Sequence, residues 1–563
     1  MPTATINNQT IEFDEREQLN CIQAAARIGY EIPSYCWHPA LSVVASCRMC
    51  LVEVGETKPD GTVAMIPKLV PGCQTPVKNG TVVIADSPKV KEAQKATLEY
   101  LLLNHPLDCP TCDQAGECLL QDFSYKYGRG YSRLDEPKNI KADKDHIGDQ
   151  ITLFTDRCIM CTRCVRFTRE YSGTAELLVV GRGTDEEIDV FPGRPCNNKL
   201  AGNVVDLCPV GALCSKDFLY EQRVWWLKPT NSVCPNCSTG CSIEVDQNEE
   251  TVYRLTPRTN PKAQGHFMCD EGRFGWKYLQ SEDRLSYPEQ RAEGKVVSRG
   301  WDDILPALRS ALKQHTHDHP KKIAAVLSPW MTVEEAYLLA SFLAKLAPKV
   351  RLALGPVPIV GEDDCYPKDV HGQPAEPTRF TIRAEKCPNR RGVAIIVKNF
   401  TQSPESFDEL LGKARAGEID VLYMVGGDPA GWITQEQAAG LERVPLLVVQ
   451  DLLPSAASER ASFVLSGGSF AERDGTLVNH AGLAQEIRRS IRSPDGARPD
   501  NRILWELTGR TGLYNAAALR GEIAKRVPEL AALAVGKLGD QGVWLSTPEH
   551  PLPSKTSAAA TTT

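Results

Sequence analysis

The chain has 563 residues, 42% of them hydrophobic and 24% charged, with a formal net charge of -7. It is too long for one ordinary core and has room for about three or four domains, and its composition excludes global disorder and fibrous repeats. The balance of 64 basic against 71 acidic residues leaves no surplus to neutralise phosphates, so nucleic-acid binding and polybasic attachment to a membrane have little electrostatic support.

The start, MPTATINNQTIEFDEREQL, lacks the basic, apolar and small-residue succession of a signal peptide, and no apolar run approaches the roughly 20 residues of a spanning helix. The expectation is a cytosolic chain without a transmembrane segment. Its 20 cysteines then do not read as a disulfide framework, because a reducing compartment keeps thiols free for metals or catalysis. Only Cys365 and Cys387 lie beyond residue 270, which places the chemistry in the first half.

ATINNQTIEF predicts a hairpin turning on Asn-Asn, EQLNCIQAAARIGY a helix, and LVEV and TVVIAD further strands, together a small ferredoxin-like sheet. Cys21 on the helix reads as core packing. Cys36, Cys47, Cys50 and Cys73 form the first ligand group, a lone cysteine, a CxxC pair and a distant fourth. Two thiolates for each of two irons suit a 2Fe-2S cluster. A four-thiolate structural zinc is the competing reading.

The segment SPKVKEAQKATLEYLLLN predicts a helix, after which NHPLDCPTCDQAGECLLQDF carries His105, Cys109, Cys112 and Cys118. Spacing alone leaves three readings open here: a three-cysteine, one-histidine zinc, a histidine-ligated cluster, or a bystander histidine. In DRCIMCTRCVRF, Cys158, Cys161 and Cys164 fit three corners of a cubane, and Cys208 of LCPVGAL supplies the fourth. Cys214 reads as packing, and no role emerges for Cys196.

The fourth group, Cys234, Cys237 and Cys241 with the remote Cys269, again suits a 4Fe-4S cluster, with a zinc ribbon as its competitor. Four groups in succession use fifteen cysteines and one histidine, which favours a chain of redox centres over a chain of zinc knuckles. Beyond GWDDILPALRSAL, helical segments such as PESFDELLGKARAG alternate with the strands DVLYMVGG, PLLVVQD and ASFVLS, a parallel α/β pattern. The Gly-Gly turn of DVLYMVGGDP reads as a plain βα loop before it reads as a ligand site.

CWHPALSVVASCRMCLVEV, HPLDCPTCDQAGECLLQD, RCIMCTRCVRF with GNVVDLCPVGAL, and CPNCSTGC together resemble the large iron-sulfur subunit of the peripheral arm of bacterial respiratory complex I, NADH-quinone oxidoreductase. The resemblance covers about residues 1 to 285. It implies a 2Fe-2S cluster on Cys36, Cys47, Cys50 and Cys73, and a 4Fe-4S cluster on His105, Cys109, Cys112 and Cys118. It implies two more 4Fe-4S clusters, one on Cys158, Cys161, Cys164 and Cys208 and one on Cys234, Cys237, Cys241 and Cys269. The last looks like the extra cluster of some members, away from the main electron route.

SFAERDGTLVNHAGLAQ resembles the molybdopterin-oxidoreductase domain to which that family's carboxyl-terminal half is related. The region is short for such a domain, and neither Cys365 in EDDCYPKD nor Cys387 in AEKCPNRRG fits the context of a molybdenum ligand, so no molybdopterin is expected.

The implied fold is α+β and α/β multidomain. It comprises a 2Fe-2S ferredoxin-like (β-grasp) domain at 1–85, a His/Cys-ligated 4Fe-4S module at 86–145, and a 4Fe-4S ferredoxin-like module at 146–226. A 4Fe-4S module at 227–285 leads into a shortened molybdopterin-oxidoreductase-like domain at 286–545, and 546–563 reads as a disordered tail. The implied function is relay of electrons from an NADH-oxidising flavoprotein toward quinone, with no substrate site of its own. Implied partners are the flavin- and NADH-binding subunit and other peripheral-arm subunits, and indirectly the membrane arm, on the cytoplasmic side of the inner membrane. An NAD-linked formate dehydrogenase or hydrogenase subunit is the alternative, and a zinc-bearing scaffold a third class.

Overall fold

The computed structural model describes residues 1–292, 294–318, 322–401 and 403–546. Residues 547–563, nearly all of the tail for which disorder is expected, lie outside them. The chain divides into two compact units. One comprises Met1–Trp226 with Tyr366–Arg379, the other Leu227–Cys365 with the chain from Phe380 onward.

In the first unit, Asn7 and Asn8 both take positive φ, 43° and 65°, as a tight two-residue hairpin turn demands. They join Thr3–Ile6 to Gln9–Glu12 with Ala4 opposite Ile11. Thr3–Ile6 pairs in parallel with Thr81–Ile84, which pairs antiparallel with Leu51–Thr57. Ala4, Ile6, Val52, Val54 and Val83 share a core with Ile22, Ala24 and Ala25 of the helix Cys21–Arg27. Cys21 is fully buried in that core, the packing role expected of it.

The helix Pro88–Leu102 starts with Ser87 accepting from the Val90 amide and proline in its first turn. Its end is closed by the Lys138 ammonium, which donates to the Leu102 and Leu103 carbonyls at 2.8 Å each. That termination sets His105 just past the helix. Further on, Ile151–Leu153 pairs antiparallel with Leu213–Ser215, bringing the chain around Cys158 and the chain after Cys208 to one place. Cys214 is buried on that strand, again as packing. The segment Tyr366–Arg379 completes the unit: the Lys368 amide donates to the Ser172 carbonyl at 2.8 Å, and the Tyr171 hydroxyl to the Arg379 carbonyl at 3.3 Å.

In the second unit, Lys228–Val233, Ser242–Asn248 and Thr251–Pro257 form an antiparallel sheet. A seven-stranded sheet follows, with the hairpin of Glu289–Ala292 and Lys295–Ser298 at one edge and five parallel strands beyond it. In spatial order these are Phe463–Ser466, Leu446–Asp451, Val421–Val425, Ile323–Leu327 and Arg351–Leu354. Alternation along the strands explains the layers. Ala325, Tyr423 and Val448 join the core against the helices Val333–Leu346 and Arg390–Phe400, while Ala324, Leu422 and Val449 join a second core with the helix Phe407–Arg415. Both faces are covered, which is why these strands read as unbroken apolar runs.

Chain order reverses between Ile323–Leu327 and Val421–Val425, where parallel sheets open a crevice at the carboxyl ends of the strands. A cavity of about 520 Å³ lies there, lined among others by Trp330, Gly426, Asp451, Gly468, Arg473 and Asp500. Asp451 accepts from the Trp432 indole at 2.7 Å and the Gly427 amide at 3.0 Å, so the Gly-Gly turn is packed onto this carboxylate.

Burial pushes Asp451 up to about 6, above the roughly 3.9 of an unfolded aspartate. The folded state therefore holds a proton that the unfolded chain has already lost between about pH 4 and 6. The stability this contributes is complete below about pH 4 and disappears as pH rises through 6. Denaturant midpoints of the wild type relative to Asp451→Asn are expected to fall from pH 4 to pH 7. A difference that does not change with pH would refute the assignment.

Candidate redox centres

In the first group the four thiols meet. Cys36 hydrogen-bonds with Cys47 and Cys73, and Cys50 with Cys73. Sharing of these hydrogen bonds holds the Cys36 and Cys50 thiols below their ordinary range and drives Cys47 and Cys73 above it. Thiolate is the form that binds iron, and this set supplies it without an outside base. The loop reaches this shape through Ala45 and Arg48, at φ 52° and 57°, in the left-handed region that non-glycine residues seldom occupy. Tyr35, fully buried, adds a phenolic oxygen with no protein partner beside this group, its ring 5.4 Å from that of Phe123.

In the second group His105, Cys109, Cys112 and Cys118 line one cavity of about 290 Å³ together with Arg157 and Gly211. Burial, with the Lys138 and Arg157 cations nearby, pushes His105 down to about 4, so its imidazole is neutral at pH 7 and has a free lone pair. Its Nδ1 is buried without a hydrogen-bond partner. An orphaned buried polar atom costs roughly 1–3 kcal/mol, a cost that a bound metal centre would remove. Arg157 reaches in from the loop before Cys158, donating to Asp108 at 3.0 and 3.1 Å and lying 3.9 Å over the Phe154 ring.

Gly211, three residues after Cys208, passes so close that a Cβ there would overlap the Cys112 sulfur. Gly211→Ala is therefore expected to abolish the paramagnetic signal of the His105 centre while the Cys158 centre keeps its own. Retention of both signals would show that the Cys112 sulfur has room to move.

Cys158, Cys161, Cys164 and Cys208 line a third cavity, of about 350 Å³, walled by Leu153, Ile188, Val210 and Leu213. Burial pushes Cys161 up to about 11 and Cys158 to about 12. Iron must therefore displace protons on binding. Met160 and Thr162, at φ 50° and 58°, curl the loop, and the Met160 amide donates to the Cys158 sulfur at 3.4 Å. Thr162 follows Cys161 as Arg48 follows Cys47, so the two CxxC turns share one left-handed device.

The fourth group lies in the second unit, with all four thiols buried. Burial pushes Cys234 up to about 12, and Cys241 feels the charges of Cys234, Cys237 and Cys269 together. The Cys234 amide donates to the Cys241 carbonyl at 2.9 Å, and a Cβ on Gly272 would lie 2.8 Å from the Cys234 sulfur. Among the described residues no three His, Cys, Asp or Glu side chains close on a single-ion site. The groups are donors set around spaces, and their number and chemistry fit iron-sulfur clusters.

The remaining thiols stay outside these groups. Cys387 is fully buried, and burial pushes it up to about 12. Cys365 sits 3.6 Å from the Thr381 hydroxyl. Sequence reasoning missed Arg157, Arg163, Arg166, Tyr35 and Gly211. The arginines did leave a signal, since RCIMCTRCVRFTRE carries four of them among its cysteines with a single acid.

Residues 2–88 match the 2Fe-2S iron-sulfur cluster binding domain, and 94–133 the NADH-ubiquinone oxidoreductase-G iron-sulfur binding region. Residues 148–214 match the ferredoxin-like domain of NADH-quinone oxidoreductase subunit 3. Residues 227–281 match the molybdopterin oxidoreductase Fe4S4 domain and 375–510 the molybdopterin oxidoreductase family. The large iron-sulfur subunit of NADH-quinone oxidoreductase from Rickettsia bellii is 38% identical over 342 residues, 61% of this chain and 48% of that protein. The NADH-ubiquinone oxidoreductase 75 kDa subunit of Reclinomonas americana is 37% identical over 336 residues, 60% of this chain and 47% of that protein.

A chain from the crystal structure of an NAD+-reducing NiFe-hydrogenase is 28% identical, with a TM-score of 0.34, covering 40% of this chain and 91% of that one. The chain spans about half the length of the curated relatives it matches. The resemblance to the large iron-sulfur subunits of NADH-quinone oxidoreductase is borne out over about three fifths of the chain.

Proposed function

We propose that this chain is an electron-transfer subunit of an NADH-quinone oxidoreductase, taking electrons from a flavoprotein that oxidises NADH and passing them toward quinone. The observation that carries this reading is the convergence of four separate donor sets, one of which presents a neutral, orphaned imidazole to three cysteines. Iron-sulfur clusters supply the one-electron chemistry when bound. The chain's own residues set the charge, burial and hydrogen bonding on which potential depends.

The ligands in this reading are Cys36, Cys47, Cys50 and Cys73 for a 2Fe-2S cluster, and His105, Cys109, Cys112 and Cys118 for a 4Fe-4S cluster. Cys158, Cys161, Cys164 and Cys208 hold a second 4Fe-4S cluster, and Cys234, Cys237, Cys241 and Cys269 a third, set off the main route. Modules at 1–85 (β-grasp), 86–145, 146–226 and 227–285 carry them in that order, and 286–545 is a shortened molybdopterin-type scaffold. Burial of Cys387 supports the absence of molybdenum, since a buried neutral thiol is a poor ligand. Partners are a flavin- and NADH-binding subunit and the rest of a peripheral arm, held at the cytoplasmic face of the inner membrane. No helix among the described residues is long and apolar enough to cross a membrane.

The test is analysis of the full chain purified without oxygen, and of the complex it forms. About 14 iron and about 14 acid-labile sulfide per chain are expected, with a flavin-bearing partner and no molybdenum in the complex. Iron without sulfide would sink the cluster reading. Molybdenum with formate-driven dye reduction would favour a formate dehydrogenase.

A further inference from the structure

The helix Arg163–Glu170 begins inside the third ligand group and buries two arginines, Arg163 at 9% and Arg166 at 7% exposure. Both reach into the loop of the first group. Arg166 Nη2 donates to the carbonyl of Cys36 and, at 3.3 Å, to that of Cys161, while its Nη1 donates to the Ser42 carbonyl. Arg163 repeats the pattern: Nη2 donates to the Trp37 carbonyl at 2.6 Å and Nη1 to the Leu207 carbonyl at 3.2 Å. One guanidinium nitrogen thus joins the backbones of a ligand from each group. The second arginine joins the residue after Cys36 to the residue before Cys208.

Every acceptor is a neutral carbonyl. Among the described residues neither arginine pairs with a carboxylate, and the Nε of each is buried without a partner. A buried cation without a counter-charge is costly. Negative charge on thiolate-ligated clusters to either side would offset that cost, and a fixed positive charge there favours the electron-rich state of both.

We propose that Arg166, supported by Arg163, is a positioning residue for electron transfer between the Cys36 and Cys158 centres, fixing their separation and raising both potentials. The proposal rests on the cluster reading of both groups.

Redox titration of the intact complex followed by electron paramagnetic resonance tests it. At a fixed poise, Arg166→Gln is expected to move the reduced-to-oxidised ratio of both centres about tenfold toward oxidised, equivalent to about 59 mV for one-electron couples. Arg166→Lys, which keeps the charge, is expected to restore most of that shift. Signals present with both potentials unchanged in Arg166→Gln would overturn the proposal alone, as would Arg166→Lys shifting as far as Arg166→Gln. Absence of both signals from the wild type would instead sink the cluster reading. Where Arg166→Gln does not assemble both centres, Arg163→Gln decides: lowered potentials in both support the proposal, and unchanged potentials or failed assembly overturn it.

Discussion

Replacing His105 by cysteine is expected to lower the midpoint potential of its centre by on the order of 100 mV, the scale set by comparing histidine-ligated with all-cysteine clusters. The cause is charge: a neutral imidazole becomes an anionic thiolate, and an extra negative charge disfavours taking up an electron. The pocket already favours the neutral ring, since burial and the Lys138 and Arg157 cations oppose protonation of His105. Those cations are also why the fall should stop short of the full histidine-to-cysteine difference. His105→Ala is the control. If that variant kept the spectrum and potential of the wild type, His105 would be a bystander and the donor set would need another fourth member.

The largest stability loss is expected in the second unit, from Arg284→Ala. Arg284 grips Glu472 with two hydrogen bonds, at 2.5 and 3.0 Å, and the Glu472 side chain has no solvent exposure. The Ser469 hydroxyl also donates to Glu472 at 2.7 Å. Removing the guanidinium leaves a buried carboxylate with one neutral donor, which costs about 3–5 kcal/mol. Replacing both partners by methionine is expected to recover most of that, because the penalty comes from the stranded charge and not from loss of a net attraction. Denaturant unfolding of the full chain with the single and double variants measures it. A double variant as unstable as Arg284→Ala would locate the cost in packing.

What was legible in the sequence had a local cause. Asn7-Asn8 marks its hairpin because two successive left-handed residues suit that turn, and Val421–Val425 reads as a buried parallel strand because both its faces are covered. Cysteine spacing places Cys158, Cys161 and Cys164 on one loop, and the structure adds Cys208 to the same cavity. What was not legible depends on contacts far apart in the chain. No pattern near Arg166 reveals that its hydrogen-bond acceptor is the Cys36 carbonyl, 130 residues earlier. Nothing in residues 366–379 marks them as belonging to the first unit. His105 is intermediate: its spacing raises the question, and only the buried, unpartnered Nδ1 answers in favour of a ligand.

The first unit takes its last piece, Tyr366–Arg379, from within the chain of the second. A ribosome reaches Arg379 some 8 to 30 s after Trp226 at roughly 5–20 residues per second. Through that interval the nascent first unit has all twelve of its proposed ligands and lacks the strap that receives its Ser172 carbonyl. Synthesis thus leaves a period in which cofactor-loading factors meet an unfinished fold, and shortening the stretch between Leu227 and Cys365 would narrow it.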